Sequence, residues 1–562
     1  MLRKTLFLGT ILAAVGTVQA DVTWNANPVD SNLANVANWS GNPAGQTAKF
    51  QGTNSPSAVL SSEFSPNNLF VAHDGNTTGT LELRDGAKLT ISNLFYVGAN
   101  GTGTVNVTGG SLSAKQVWTG DQAAGNAELN LSGGSMSFSE LLTLGTRGTA
   151  VLNVSGGTLN AQTIAVAGSY ANSSRGTVNQ TNGTVTVTDT LRFGTSGSKG
   201  VGTYNLSGGT LTAPTVKYGN TNTTASFNIS GTGEAVISGA VAVPTTLSGG
   251  TLTAGSITNT LTQTGGLLTP GGVGAFGTTT ITGKYLAELT NVARSKPTSQ
   301  VKNYVYGFPG SNAVDGIIDP SSNNFTHTDP TAGKTQWWQV MFSENDMPIE
   351  SVKLYNRELN GSTARRLMEE GNGFHFELYS GTLENPGEMI GKSETYTAET
   401  WSQGKELPLD FAENGNILRV VRDFADGYDP ASAELVLSLA EVEIYAGAGI
   451  QMDIAADGLS DKILIGDGGS MDITNTYLDI MIDDISAVAP GSEWTLFETS
   501  GNGTLTGDFL SVTLNDAALG NGWEFADGIL SFNGTNDAVP EPGTMVLLAL
   551  GLGGLFLVRR KR

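Results

Sequence analysis

Residues 148–167, "GTAVLNVSGGTLNAQTIAVA", decide how this chain folds. The run through Leu152 and Val154 alternates in polarity, as a half-buried strand does; Gly156-Gly157 breaks it, and a second extended run follows. The Ser/Thr-Gly-Gly motif, intact or decayed, recurs at Thr108, Ser132, Ser155, Thr181, Ser207, Ser230, Ser248 and Thr264, at spacings of 24, 23, 26, 26, 23, 18 and 16. A single copy cannot bury its own apolar face, but stacked copies can. The period therefore predicts a right-handed parallel β-solenoid with about one coil per repeat. The Gly-Gly pair is expected at the corner, where a positive φ suits glycine.

The composition agrees with an all-β chain. It has 51 acidic and 29 basic residues, 75 glycines and no cysteine among 562, and only 14% of residues are charged. Low charge with abundant Gly, Thr, Asn and Val suits pleated strands and tight turns rather than helices. A net charge of −22 argues against nucleic acid as a partner, because phosphate binding needs a basic patch. Without cysteine there is no disulfide framework, so stability must come from a large core or a bound metal.

The repeat region offers almost nothing to catalysis. Between Gly101 and Thr280 there are 11 charged residues in 180, no histidine and no carboxylate cluster able to share a proton or hold a metal. The expectation is a spacer or adhesive stalk, not an enzyme.

Both ends read as processing segments. Arg3 and Lys4 precede an apolar run and a small-x-small site at Val18-Gln19-Ala20, which describes a secretory signal peptide over residues 1–20. At the other end Val539-Pro540-Glu541-Pro542 is followed by 14 apolar residues, Met545 to Val558, and four basic residues ending in Arg562. Such a run is short for an ordinary membrane span, which needs about 20 residues. Residues 535–562 resemble the PEP-CTERM sorting tail. The resemblance implies a tail transiently in the membrane, removed by an exosortase-type enzyme, and delivery to the envelope, outer surface or exopolysaccharide matrix. Removal of both segments moves the net charge to about −28. The repeats themselves, residues 96–287, resemble autotransporter-type and PEP-CTERM-associated β-strand repeats. Residues 21–95, with Trp24 and Trp39, look like a cap and first coils that cover the solenoid's exposed edge.

Composition changes near Asn291. Residues 288–448 hold two of the three histidines and three of the eight tryptophans, and read as a separate globular domain. Solenoid-style sequence then resumes over 449–534, with a strand starting at Ser460-Asp461-Lys462-Ile463. The globular domain is thus expected to be inserted in a loop of the last coils, which requires its two ends to lie close together.

From Asn291 to Ala446 the segments "NVARSKPTSQVKNYVYGFPGSNAVDGIID", "FTHTD", "QWWQVMF", "IESVKLYNREL", "ARRL" and "LSLAEVEIYA" follow in order. This succession resembles the discoidin, or coagulation factor 5/8 type C, family and its fucolectin branch. The resemblance implies a β-sandwich (jelly roll) that binds carbohydrate, with fucose or galactose the class of sugar. Its sugar contacts fall on His327, Arg357 and Arg366, with Arg365 a possible substitute for the last. An imidazole and two guanidinium forks suit a ring of hydroxyls that both donate and accept. Phe325 and Tyr306 are candidates to stack on the sugar's apolar face. The resemblance also implies a structural calcium site at Asn312, Asp315, Ile317, Asn324, Ala440 and Glu441, where carbonyls and two carboxylates would supply the six to eight oxygens calcium takes. Trp337 and Trp338 are assigned to packing, His375 to an ordinary strand position and His73 to a turn. The reading is a non-catalytic exported protein that binds glycan or polysaccharide. Its alternative is a purely structural surface or matrix protein with no glycan specificity.

Overall fold

The computed structural model describes residues 21–534, apart from residues 55, 169–173, 196–198, 305, 321–323, 344–348, 364–366, 368–372, 410, 412–413, 425–435 and 516. The expected signal peptide and sorting tail therefore lie outside the described residues. Among the described residues every regular element is a strand or a short 3-10 turn.

The stretch at 148–167 shows how the coils are built. In Thr149–Val154 the residues Ala150, Leu152 and Val154 are buried and the three between them face outward. This strand pairs in parallel with Asn126–Leu131 on one side and Arg175–Gln180 on the other, in unbroken register. Equivalent residues therefore stack in columns. Leu129, Leu152, Val178, Tyr204 and Phe227 form one buried column through five coils. Leu112, Met136, Leu159, Val185 and Leu211 form another. The second, longer strand of a coil shifts register midway, as between Phe138 and Leu141, so each coil presents three parallel segments.

The outward face carries a ladder. Asn130 donates through Nδ2 to Oδ1 of Asn106 at 2.8 Å, and the same bond repeats up the coils from Asn153 to Asn130, Asn179 to Asn153, Asn205 to Asn179 and Asn228 to Asn205. An amide that donates on one side and accepts on the other can be repeated without limit, which a charged side chain cannot.

At the corners the two glycines have different duties. The second of each intact pair has the left-handed conformation, for example Gly134 and Gly157 at φ +67° and +69°. The first does not; a Cβ on Gly133 would lie 2.4 Å from the Thr108 carbonyl of the preceding coil, so it is kept small by the coil spacing. The expectation of positive φ thus holds for one residue of the pair, and close approach explains the other.

The chain leaves the solenoid after Lys284–Ala287 and returns as Ala448–Ile454, which pairs with Thr260–Leu268 through Leu267 and Gly449. Between these points it forms two antiparallel sheets. One runs in the order Thr290–Asn291, Leu439–Ala446, Ile349–Asn356, Glu406–Pro408. The other runs Thr298–Gln300, Thr335–Met341, Ile417–Asp423, His375–Tyr379, Met389–Lys392. Thr290 pairs with Ala446, so the first and last strands of the sandwich lie side by side. Its core contains Trp338, Val340, Phe376 and Val420 from one sheet and Val352, Leu354, Val442 and Ile444 from the other. Tyr477, from a later solenoid coil, joins the same core and ties the sandwich to the solenoid.

Aromatic residues close both ends of the solenoid. Trp24 meets Trp39 and Phe50 edge-to-face at 5.2 and 5.0 Å, and Trp494 stacks on Trp523 at 5.8 Å.

Candidate functional site

The segment Phe325–Asp329 lies along the end of the strand that precedes Ala446. Thr326 and Thr328 donate their backbone N–H groups to the carbonyls of Leu439 and Leu437, and their hydroxyls accept from the N–H groups of the same two residues. Alternation along an extended chain then turns Phe325 and His327 to the other side. There Tyr304, whose N–H donates to the His327 carbonyl, lays its ring over the imidazole with centroids 4.5 Å apart. Phe308 stacks on Phe325, also at 4.5 Å. The Arg357 guanidinium lies 3.9 Å from the centroid of Phe325, and its backbone is pinned by an N–H bond to the Ser438 carbonyl.

His327 Nδ1 lies 2.7 Å from the Thr328 carbonyl, an acceptor, so Nδ1 carries a proton. Imidazole and guanidinium therefore flank one aromatic cluster. Arg365 and Arg366 lie outside the described residues. Of the two stacking candidates, Tyr306 is 76% exposed and contacts Tyr304 at 5.2 Å, whereas Phe325 is 2% exposed. A guanidinium and a parallel ring at these distances cannot share one face, so both faces of Phe325 are taken and it serves as a spacer. Tyr304 and Phe308 were not singled out from the sequence; the alternation of Tyr304, Tyr306 and Phe308 was the available signal.

The residues expected to hold calcium sit one turn away. Gly316 donates its N–H to Glu441 Oε1 at 3.0 Å, and Ile317 donates to Asp315 Oδ1 at 2.9 Å. Asn324 donates its amide to Asp315 Oδ2, and Asn312 donates to the Phe325 carbonyl at 3.1 Å. Ala440 is wholly buried and Ile317 is exposed, and both side chains are hydrocarbon, so only their backbone carbonyls have an oxygen to offer. Glu441 is fully buried, and its Oε2 has no hydrogen-bond partner. Burial first, and repulsion from Asp315 second, push its carboxyl up to about 7. An orphaned, buried carboxyl oxygen on a group repelled by a second carboxylate fits a hard cation. Among the described residues no group of three or more His, Cys, Asp or Glu has metal-binding geometry, so carbonyls would complete the shell.

Trp338 is buried, with Nε1 donating to the Gly310 carbonyl at 2.9 Å, while Trp337 on the opposite face is only half-buried. Trp337 and Tyr379 flank the Arg419 guanidinium at 4.5 and 4.4 Å. His375 is 4% exposed on that face and meets Glu377 Oε1 at 3.2 Å. His73 meets Asp74 at 2.9 Å and sits edge-on to Phe70.

Comparison with known proteins identifies a motif at the C-terminal end. Residues 538–562 match the PEP-CTERM protein-sorting motif. The chain carries an envelope-sorting signal. That motif marks the protein as secreted and targeted to the cell envelope, and implies exosortase processing. No curated protein matches the sequence. The chain is similar to the solved lectin domain of Lectinolysin complexed with Lewis B antigen, at 26% identity and a TM-score of 0.22, covering 28% of this chain and 96% of that one. A Streptococcus pneumoniae fucose binding module matches at 25% identity and a TM-score of 0.22, covering 28% and 98%. The family 32 CBM from C. perfringens NanJ in complex with galactose matches at 15% identity and a TM-score of 0.21, covering 28% and 99%.

Proposed function

We propose that this envelope-sorted protein is a non-catalytic carbohydrate binder: the solenoid is a stalk, and the inserted discoidin-like sandwich over residues 288–448 engages glycan through His327 and Arg357. The observation that carries the reading is the cluster Tyr304–His327 and Phe308–Phe325–Arg357, in which an imidazole and a stacked guanidinium flank packed aromatic rings. Sugars of the fucose and galactose class pair an apolar ring face with hydroxyls that need both a donor and an acceptor, and exposed Tyr306 offers a surface for that face. Arg366 completes the donor set by resemblance.

Calcium, when bound by Asp315 and Glu441 with carbonyls of the neighbouring loop, would neutralise two close carboxylates and fix the loop that carries Asn312 and Asn324. Its role is structural, and the chain's own residues make the sugar contacts.

The test is binding of the mature chain to fucose- and galactose-terminated glycans. Loss of binding in His327→Ala and in Arg357→Ala, with unchanged thermal unfolding, supports the reading. A folded chain that binds no glycan leaves the structural surface protein as the better account.

A further inference from the structure

Where the chain leaves the solenoid, the corner stack of the last coils and the base of the sandwich enclose a cleft of about 250 Å³. Its solenoid wall is made of backbone and hydroxyl groups, including Ser248 and Thr264, and its apolar patches come from Leu267 and Phe342. Among the described residues its only charged lining residues are Arg294 and Lys296, and none of those residues is a carboxylate. In a chain of net charge −22 this is a local reversal of sign.

The two cations are held there by an unusual turn. Lys296 donates its N–H to the Ala293 carbonyl at 3.1 Å, and Ser295, between the cations, donates to the Val314 carbonyl. Ser295 has φ +59°, the left-handed region, which is strained for a residue with a Cβ. The Arg294 guanidinium lies against the backbone of Gly316, where an added Cβ would come within 3.0 Å of its Cζ. Both side chains are exposed, and neither makes an ion pair among the described residues.

Two cations with no ion pair among the described residues, in a cleft that otherwise offers hydroxyls, backbone polar groups and small apolar patches, match an anionic, hydroxyl-rich polymer. We infer that this cleft is a second binding site, distinct from the His327–Arg357 cluster, and that it takes an acidic polysaccharide segment, with Arg294 and Lys296 pairing to its charged groups. The two sites would let one molecule hold a terminal sugar and an acidic strand together, which strengthens attachment through effective concentration without new contacts. The site stands independently of the glycan reading of the sandwich.

The experiment uses the mature full-length chain with polygalacturonate as the carboxylate probe, dextran sulfate as the sulfate probe and dextran as the neutral control. The expected result is salt-sensitive binding to one or both anionic polymers and none to dextran. Arg294→Gln and Lys296→Gln should each weaken that binding by about tenfold, as the loss of one charge-assisted contact does. His327→Ala should leave it unchanged, which separates this site from the sandwich site. Because both cations are exposed, each variant is expected to unfold at the wild-type temperature. Absence of binding to either polyanion, or binding that both Gln variants retain, would overturn the proposal; preference between carboxylate and sulfate assigns the anionic group.

Discussion

The Arg357 guanidinium lies 3.9 Å above the ring of Phe325, whose other face is filled by Phe308 at 4.5 Å. A planar cation held over a ring keeps its fork oriented, whereas an ammonium on a flexible stem does not. Arg357→Lys should therefore lose glycan affinity almost as fully as Arg357→Ala, by about tenfold or more. Thermal unfolding should register about 1 kcal/mol or less for either change. Titration of the same glycan against both variants checks this.

The corner glycines predict a contrast within one protein. Gly157 has φ +69°, and an added Cβ would lie 2.7 Å from the Gly134 carbonyl; Gly45 has the same φ with nothing within 4 Å. Gly45→Ala should cost about 1 kcal/mol from backbone strain alone. Gly157→Ala adds a clash with rigid backbone and should cost about 2–4 kcal/mol. Denaturant unfolding of the two variants measures the difference.

Asn153 both donates to Asn130 and accepts from Asn179. Asn153→Ala removes two rungs of the ladder and should destabilise the solenoid by about 1–2 kcal/mol. Asn106 accepts from Asn130 at the ladder's end, and Asn106→Ala should cost about half as much. Equal losses at the two positions in denaturant unfolding would contradict the ladder's contribution.

Asp461 is fully buried where the chain returns to the solenoid, and accepts N–H bonds from Gly277 and Asp453. Burial outweighs those bonds and pushes its carboxyl up to about 6. A carboxyl with a raised folded value stabilises the fold while protonated, so its contribution is present below about pH 4 and is lost as pH rises through about 6. The loss is on the order of 3 kcal/mol. Unfolding followed from pH 4 to 7 should show it, and Asp461→Asn should reduce that slope, leaving the part that Glu441 contributes.

The stalk was legible because its information is local and repeated. The alternation around Leu152 and the Ser-Gly-Gly corner recur often enough to fix both coil and stacking direction, and only the division of labour between Gly156 and Gly157 needed coordinates. The sandwich site was less legible. Motifs single out His327 and Arg357 as candidates, but the burial of Phe325 between Arg357 and Phe308 depends on strand pairings that no spacing reveals. The orphaned oxygen of Glu441 is likewise a fact of burial; its neighbour Ala440 and exposed Ile317 carry no such signal. The cleft at Arg294 joins residues from the solenoid and the sandwich that are far apart in the chain, so no contiguous stretch announces it.

The most direct test of the central claim is binding of the mature chain to a panel of fucose- and galactose-terminated glycans, with calcium and again with chelator, alongside His327→Ala and Glu441→Gln. The account predicts binding that is lost in His327→Ala, and a calcium-dependent rise in unfolding temperature that is lost in Glu441→Gln. A folded wild-type chain that binds none of these glycans with calcium present would contradict it.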